Sequence, residues 1–305
     1  MTALSAALAG ACRAPAPALE PAFPAGHEIV VCGERFAVGA PVVLWDQEPF
    51  YDAYAERPRF SDQGPSGPRY RPGREPRDRE LAARVERDGW TRAALEEQVD
   101  LFVLHYDACG TSRRCFRVLQ DERQLSVHFL LDVDGTIYQT LDLRDQAWHA
   151  RAANPRSIGI EIANVGAYPA RAAGPLRSAF EWTEAGLELT LPATSGVRTP
   201  GFRGRPAREG WLAGAIHEEP LVQVDFTPEQ YASLAALTAA LGRIFPRIEL
   251  EFPRDEHGRV RADALSDEEE ARFHGILGHH HLQRDKVDPG PAFDWERLLA
   301  MVQRP

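Results

Sequence analysis

No stretch of this 305-residue chain approaches eighteen consecutive apolar residues, so no segment reads as a membrane-spanning helix. Positive charge is scarce: 35 Lys and Arg stand against 45 Asp and Glu, a formal net charge of −10. That balance supplies no basic face and argues against non-specific nucleic-acid binding. It leaves room for a polymer substrate carrying positive or mixed charge. Internal repeats are absent, which excludes a solenoid or propeller array. What is present is a hydrophobic content of 44%, a globular composition rather than a disordered one. The length fits one large domain or two ordinary ones.

Cysteine is limited to four positions: Cys12, Cys32, Cys109 and Cys115. The first ends "MTALSAALAGAC", a small, apolar start followed by the Pro/Ala-rich "RAPAPALEPAFPAG". That order resembles the tail of a bacterial lipoprotein signal, with a lipidated cysteine and a flexible tether. Residues 1–26 are therefore expected to be a signal remnant or tether, with a lipid anchor at Cys12 in the cell envelope, periplasmic or on the outer membrane. Cys109 and Cys115 then form a natural local pair, with Cys32 left over. A short-loop disulfide there would suit an oxidising compartment. The alternative is two small residues in a loop-helix segment.

Residues 27–95 read as an N-terminal extension and linker. Within them "EIVVCGERFAVGAPVVLW" gives two short β-like runs, and residues 55–79, rich in Pro, Gly and Arg, give a surface loop. From about residue 96 the pattern sharpens. "VDLFVLHYDA" is a buried strand ending at His105, and "SRRCFRVLQDE" is helix-like. "SVHFLLDVDGTIYQTL" is a hairpin around Asp134-Gly135, and "SIGIEIANVG" is a strand with Glu161 in its middle. Residues 166–222 read as a surface insertion. "TPEQYASLAALTAALGRIF" is an amphipathic helix with a capping Thr and Pro at its first position. Residues 253–272 read as a charged loop. The class is α/β (α+β): a central mixed sheet flanked by helices, with a small N-terminal β extension. One catalytic domain would span 96–305.

The unusual polar residues fall at strand ends and adjacent loops, where rigid elements hold side chains in place. His105 closes a strand. Three histidines, His279, His280 and His281, follow a short apolar run. Asp288 lies beyond them, with Lys286 two residues before it. Two histidines and one carboxylate suffice for a catalytic zinc that keeps its fourth position open. A nearby glutamate could move a proton and a lysine could stabilise an oxyanion, so the parts match amide hydrolysis.

Several segments, in this order, carry a resemblance: "VLHYDA", "SVHFLLDVDGTIYQTL", "QAWHA", "NPRSIGIEIAN", "TPEQYASLAALTAAL" and "GHHH…KVDPGPAFDW". They resemble the zinc-dependent N-acetylmuramoyl-L-alanine amidases of the type 2 amidase and peptidoglycan-recognition-protein superfamily. The last segment is the most specific. The resemblance covers roughly two-thirds of the chain and leaves out the N-terminal 95 residues and the 166–222 insertion. It implies one Zn2+ ion held by His105, Asp288 and, most simply, His279. His280 and His281 stay in play because the spacing to the Asp is one residue shorter than in close bacterial members. It also implies Glu161 as general base and Lys286 over the scissile carbonyl. Members with a tyrosine before the hairpin histidine differ here, where Val127 precedes His128; the branch that uses the glutamate generally lacks that tyrosine.

For the remaining residues, Trp148 and His149 are expected to wall a substrate groove, with Asn154 beside them. His128 is expected to be structural and His217 to lie on the surface. Glu161 has a rival reading as an ion-pair partner of Arg151 or Arg156. The implied function is hydrolysis of the amide between N-acetylmuramic acid and L-alanine in peptidoglycan or muropeptides, by a chain taken as a monomer. The alternatives are a non-catalytic peptidoglycan-binding receptor on the same fold, or a zinc peptidase acting on another bond of the stem peptide.

Overall fold

The computed structural model describes residues 26–47 and 49–303. Cys12 and the expected tether lie outside the described residues, apart from Gly26. In chain order the strands and helices are β1 (Gly26–Val31), β2 (Glu34–Leu44), β3 (Tyr70–Arg71), α1 (Arg79–Asp88), α2 (Arg92–Gln98), β4 (Leu101–Tyr106) and α3 (Ser112–Arg117). Next come β5 (Phe129–Leu131), β6 (Ile137–Gln139), β7 (Gln146–Ala147), β8 (Ser157–Ile162), α4 (Gly174–Ala179), β9 (Phe180–Thr183), β10 (Gly186–Leu189), β11 (Trp211–Ile216) and β12 (Glu219–Val224). The chain closes with α5 (Pro228–Ile244), α6 (Asp267–Arg272), β13 (Gly275–Gly278), α7 (His279–Leu282) and α8 (Trp295–Val302).

Seven strands form one mixed sheet in the order β1-β2-β6-β5-β8-β4-β13. Strands β13, β4, β8 and β5 run parallel to one another. Their continuous apolar runs are what a sheet covered on both faces requires: Leu101 to Leu104 are all buried. The Asp-Gly turn at 134–135 reverses the chain, so β6 returns antiparallel to β5. Helix α5 covers one face. Thr227 and Gln230 form a capping box at its start, Pro228 stands in its first turn, and Leu234, Leu237 and Leu241 enter the main core.

The N-terminal β extension is continuous with this sheet. Strand β2 pairs parallel with β6, and Ile29, Val31, Val42 and Leu44 share the main core. The segment read as a surface loop, 55–79, also differs from expectation. Arg69 and Arg74 within it are fully buried, and β3 pairs with β7. Arginine is tolerated there because backbone carbonyls take up its donors: Arg69 reaches Gln120, Glu56 and Pro65 at 2.7–2.9 Å. The charged stretch 253–272 ends in helix α6, capped by Ser266 and Glu269, so it is not loop throughout. The 166–222 segment carries α4 and the hairpins β9–β10 and β11–β12. Among the described residues no helix is long and apolar enough to cross a membrane.

Candidate metal and catalytic site

The polar residues singled out from the sequence converge at the carboxyl ends of the parallel strands, where open α/β sheets place their ligands. His105 is the penultimate residue of β4. Gly278 ends the neighbouring β13 and delivers His279 directly beyond it. A Cβ at Gly278 would come within 2.6 Å of Pro289 and 2.7 Å of the His280 ring, so glycine lets the loop bearing Asp288 close onto the strand end. Strand β8 sits on the other side of β4, in a register that pairs His105 with Glu161. Cross-strand partners project to the same face of the sheet.

Three atoms meet there. His105 Nδ1 lies 3.0 Å from His279 Nδ1 and 2.9 Å from Asp288 Oδ2, and His279 Nδ1 lies 3.1 Å from the same oxygen. All three residues are buried. A proton between them could satisfy one edge of this triangle; a cation satisfies all three corners. Ligand atoms ~2.0–2.1 Å from a tetrahedral zinc ion are about 3.3 Å apart, close to these separations.

The far side of each ring supports that fit. His105 Nε2 is 3.0 Å from His149 Nδ1, and His149 Nε2 is 3.2 Å from Ser157 Oγ. With His105 protonated on Nε2, protons pass outward along this chain and Nδ1 keeps a bare lone pair facing the site. His279 Nε2 is 2.7 Å from the side-chain amide of Gln283, whose oxygen has no other partner. That oxygen turned to the ring accepts the Nε2 proton and fixes the same tautomer. Burial, and then the neighbouring His279, lower the His105 pKa to about 4, so the ring is neutral at pH 7. Burial alone would raise the Asp288 carboxyl. The His279 ring, and then the nitrogens of both rings packed against Oδ2, instead hold it well below the usual carboxylate range. Two imidazoles and one carboxylate are a donor set for zinc.

His280 and His281 face away from this triangle. His280 Nδ1 lies 3.0 Å from the Asp288 carbonyl, and His281 Nε2 lies 2.8 Å from the Arg261 carbonyl. They brace the loop behind the site.

Glu161 pairs with neither arginine considered above, since Arg156 takes Asp100 at 2.6 Å and Arg151 takes Asp285 at 3.7 Å. One of its carboxylate oxygens is buried without a partner. Burial, then repulsion from Asp288 and Asp107, push its pKa well above the ordinary range. Glu161 lines a cavity of about 750 Å³ together with His105, His279, Asp288, Lys286 and Trp148. Lys286 Nζ stands 4.0 Å from Asp285. It is the one lysine in a chain whose other cations of this kind are all arginine. That count was visible in the sequence as a signal: a compact ammonium kept where arginine is used everywhere else.

The contacts add detail to the other expected roles. Trp148, His149 and Asn154 line the cavity, and the last two also make contacts behind it. His149 holds His105, and Asn154 Oδ1 accepts from the amides of His149 and Ala150 at 3.1 and 2.6 Å. His128 is buried as expected: its Nδ1 accepts from the Gly159 amide and its Nε2 reaches the Asp145 carbonyl. His217 was read as surface. It is instead partly buried, with Nε2 3.0 Å from the Lys286 carbonyl, so it anchors the loop that carries the lysine. Cys109 and Cys115 are free thiols and are not joined in a disulfide.

A mixed sheet with two histidines and an aspartate gathered at its parallel strand ends defines the type 2 amidase and peptidoglycan-recognition class. The chain belongs to the N-acetylmuramoyl-L-alanine amidase family, whose profile matches residues 95–291. It is 24% identical over 183 residues to the 1,6-anhydro-N-acetylmuramyl-L-alanine amidase AmpD of Haemophilus influenzae. That match covers 60% of this chain and spans 61% of the relative's length. Among solved structures, a selenomethionine AmpD derivative is 20% identical with a TM-score of 0.36, covering 84% of this chain and 98% of its own. The E. coli amidase AmiD, solved with anhydro-N-acetylmuramic acid-L-Ala-D-γ-Glu-L-Lys, is 17% identical with a TM-score of 0.37, covering 67% and 57%.

Proposed function

We propose that this protein hydrolyses the amide joining the lactyl group of N-acetylmuramic acid to L-alanine, in peptidoglycan or in muropeptides released from it. The observation carrying this reading is the donor triangle of His105, His279 and Asp288 beside a buried Glu161 oxygen without a partner. A zinc ion held by that triangle would supply Lewis acidity toward the scissile carbonyl and an attacking water. Glu161, on the same sheet face as His105, takes the water proton on its carboxylate and returns it to the departing alanine nitrogen. Lys286 Nζ, on the cavity wall, donates to the carbonyl oxygen as negative charge gathers there. Trp148 offers an apolar wall, and the contact of half-buried His149 with buried His105 keeps the donor geometry fixed while substrate enters.

Mass spectrometry of muropeptides tests the reading, in zinc-loaded protein and after chelation. Loaded protein is expected to release free stem peptides beginning at L-alanine, and chelated protein to release none. Glu161→Gln is expected to retain zinc while turnover falls by about 10²–10⁴. Unchanged muropeptides with fully loaded zinc, or a Glu161→Gln variant as active as the parent, would remove the hydrolase reading.

A further inference from the structure

A second cavity, about 860 Å³, adjoins the catalytic one, and Ala108 and Cys109 line both. Its size lies within the range of small-ligand sites. Its charge is opposite to that of the chain. Arg113, Arg114 and Arg117 project from α3 into it, and none of its lining residues is acidic, in a protein of net charge −10. Arg114 forms no ion pair within 4.0 Å among the described residues, and Arg117 reaches only Glu122, at 3.6 Å in solvent.

Arg113 is held in place. Its guanidinium lies 4.4 Å from the Phe50 ring centroid and 5.5 Å from that of Phe60. Its aliphatic stem packs on Gly196, where a Cβ would come within 2.8 Å. The cavity is thus assembled from α3, from Phe60 ahead of the family match, and from the 166–222 segment. The 166–222 segment otherwise touches the catalytic site through His217, which reaches the Lys286 carbonyl.

Resting on the amidase reading, we infer that this cavity is an anion subsite for the peptide half of the substrate. In a muramoyl peptide the lactyl carboxyl is consumed by the scissile amide, so the negative charge lies on the peptide. A γ-linked glutamate leaves its α-carboxylate free one residue beyond the alanine, and the peptide terminus carries another. Guanidinium groups pair with carboxylates through two parallel hydrogen bonds. The ligand class is a short acidic peptide, and the subsite selects free carboxylates over their amides.

The test compares two synthetic muramoyl tripeptides, L-Ala-γ-D-Glu-L-Lys with free carboxylates and the same peptide fully amidated. The zinc-loaded parent is expected to favour the free acid in kcat/KM by about tenfold or more. Arg114→Gln and the double variant with Arg117→Gln change exposed residues and are expected to fold. Both should lower kcat/KM on the free acid and compress the acid-to-amide ratio toward one. A parent without preference, or variants that keep the parent's ratio, overturns the subsite. If neither substrate is cleaved, the amidase reading fails instead. Calorimetric titration with the free tripeptide then decides the subsite: binding weakened about tenfold in Arg114→Gln upholds it, and no binding to the parent overturns it.

Discussion

Replacing His149 by phenylalanine keeps a ring in place and deletes both nitrogens. His105 Nε2 then loses the acceptor 3.0 Å away, and Ser157 Oγ loses its partner at 3.2 Å. A buried donor without a partner costs about 1–3 kcal/mol. The imidazole avoids that cost by moving its proton to Nδ1, the atom that faces His279 and Asp288. Each such event removes a metal donor. Partners of this kind are worth about 10–100-fold in metal affinity, or about 1.4–2.7 kcal/mol. Gly159→Ala reaches the same contact from the other side. Its Cβ would stand 2.5 Å from His149 Cε1 and Nδ1, so the methyl group displaces the ring while leaving its chemistry intact. Both variants are expected to bind zinc about 10–100-fold more weakly in competition with a chromophoric chelator. The zinc-dependent part of their thermal stabilisation should shrink by the same free energy. A folded His149→Phe protein with zinc affinity within about twofold of the parent would refute the argument.

Arg74 is buried, its pKa drawn down to about 10 by that burial, and it donates to the carbonyls of Leu143, Asn154, Pro155 and Ser157 at 2.8–3.3 Å. Arg74→Met should cost about 3 kcal/mol or more by orphaning those carbonyls, and an unchanged urea midpoint would contradict this. Asp132 is buried, and its pKa is raised to about 8 by burial and then by Asp134. The folded state therefore holds a proton that the unfolded state releases near pH 4. Stability falls as pH rises from about 4 to 8, by at most about 1.4 kcal/mol per pH unit. Asp132→Asn should flatten that slope in melting curves taken across this range; a variant with the parent's slope would show that Asp132 is not its source.

What was legible in the sequence was local. An apolar run broken by one polar residue marks both β4 with His105 and β8 with Glu161, because strand periodicity exposes such a break. Helix α5 announced itself through Thr227, Pro228 and its apolar stripe. What was not legible depends on register between distant segments. His149 reads as a groove residue until β8 folds beneath it and Gly159 makes room for its ring. His217 reads as surface until the β11–β12 hairpin brings it against the Lys286 carbonyl. Arg69 and Arg74, within a Pro- and Gly-rich stretch, carry no sign of burial, since the carbonyls that receive them lie up to 83 residues away. The choice among three adjacent histidines turned on one feature, the direction in which a four-residue helix points each ring.

The donor set spans 183 residues of chain, from His105 to Asp288, and the two elements that carry it meet only because β13 pairs beside β4 at the sheet edge. No fragment lacking either strand can present all three donors. Metal affinity is therefore folding free energy of the whole sheet, not of a local loop. The same arrangement explains where variation is tolerated. The 166–222 segment leaves from the carboxyl end of β8 and returns through α5 on one face, so it can reshape the neighbouring cavity without shifting β4 or β13. The donors stay on rigid strand ends, while the arginines of the neighbouring cavity stand on α3 and only its far wall comes from the 166–222 segment.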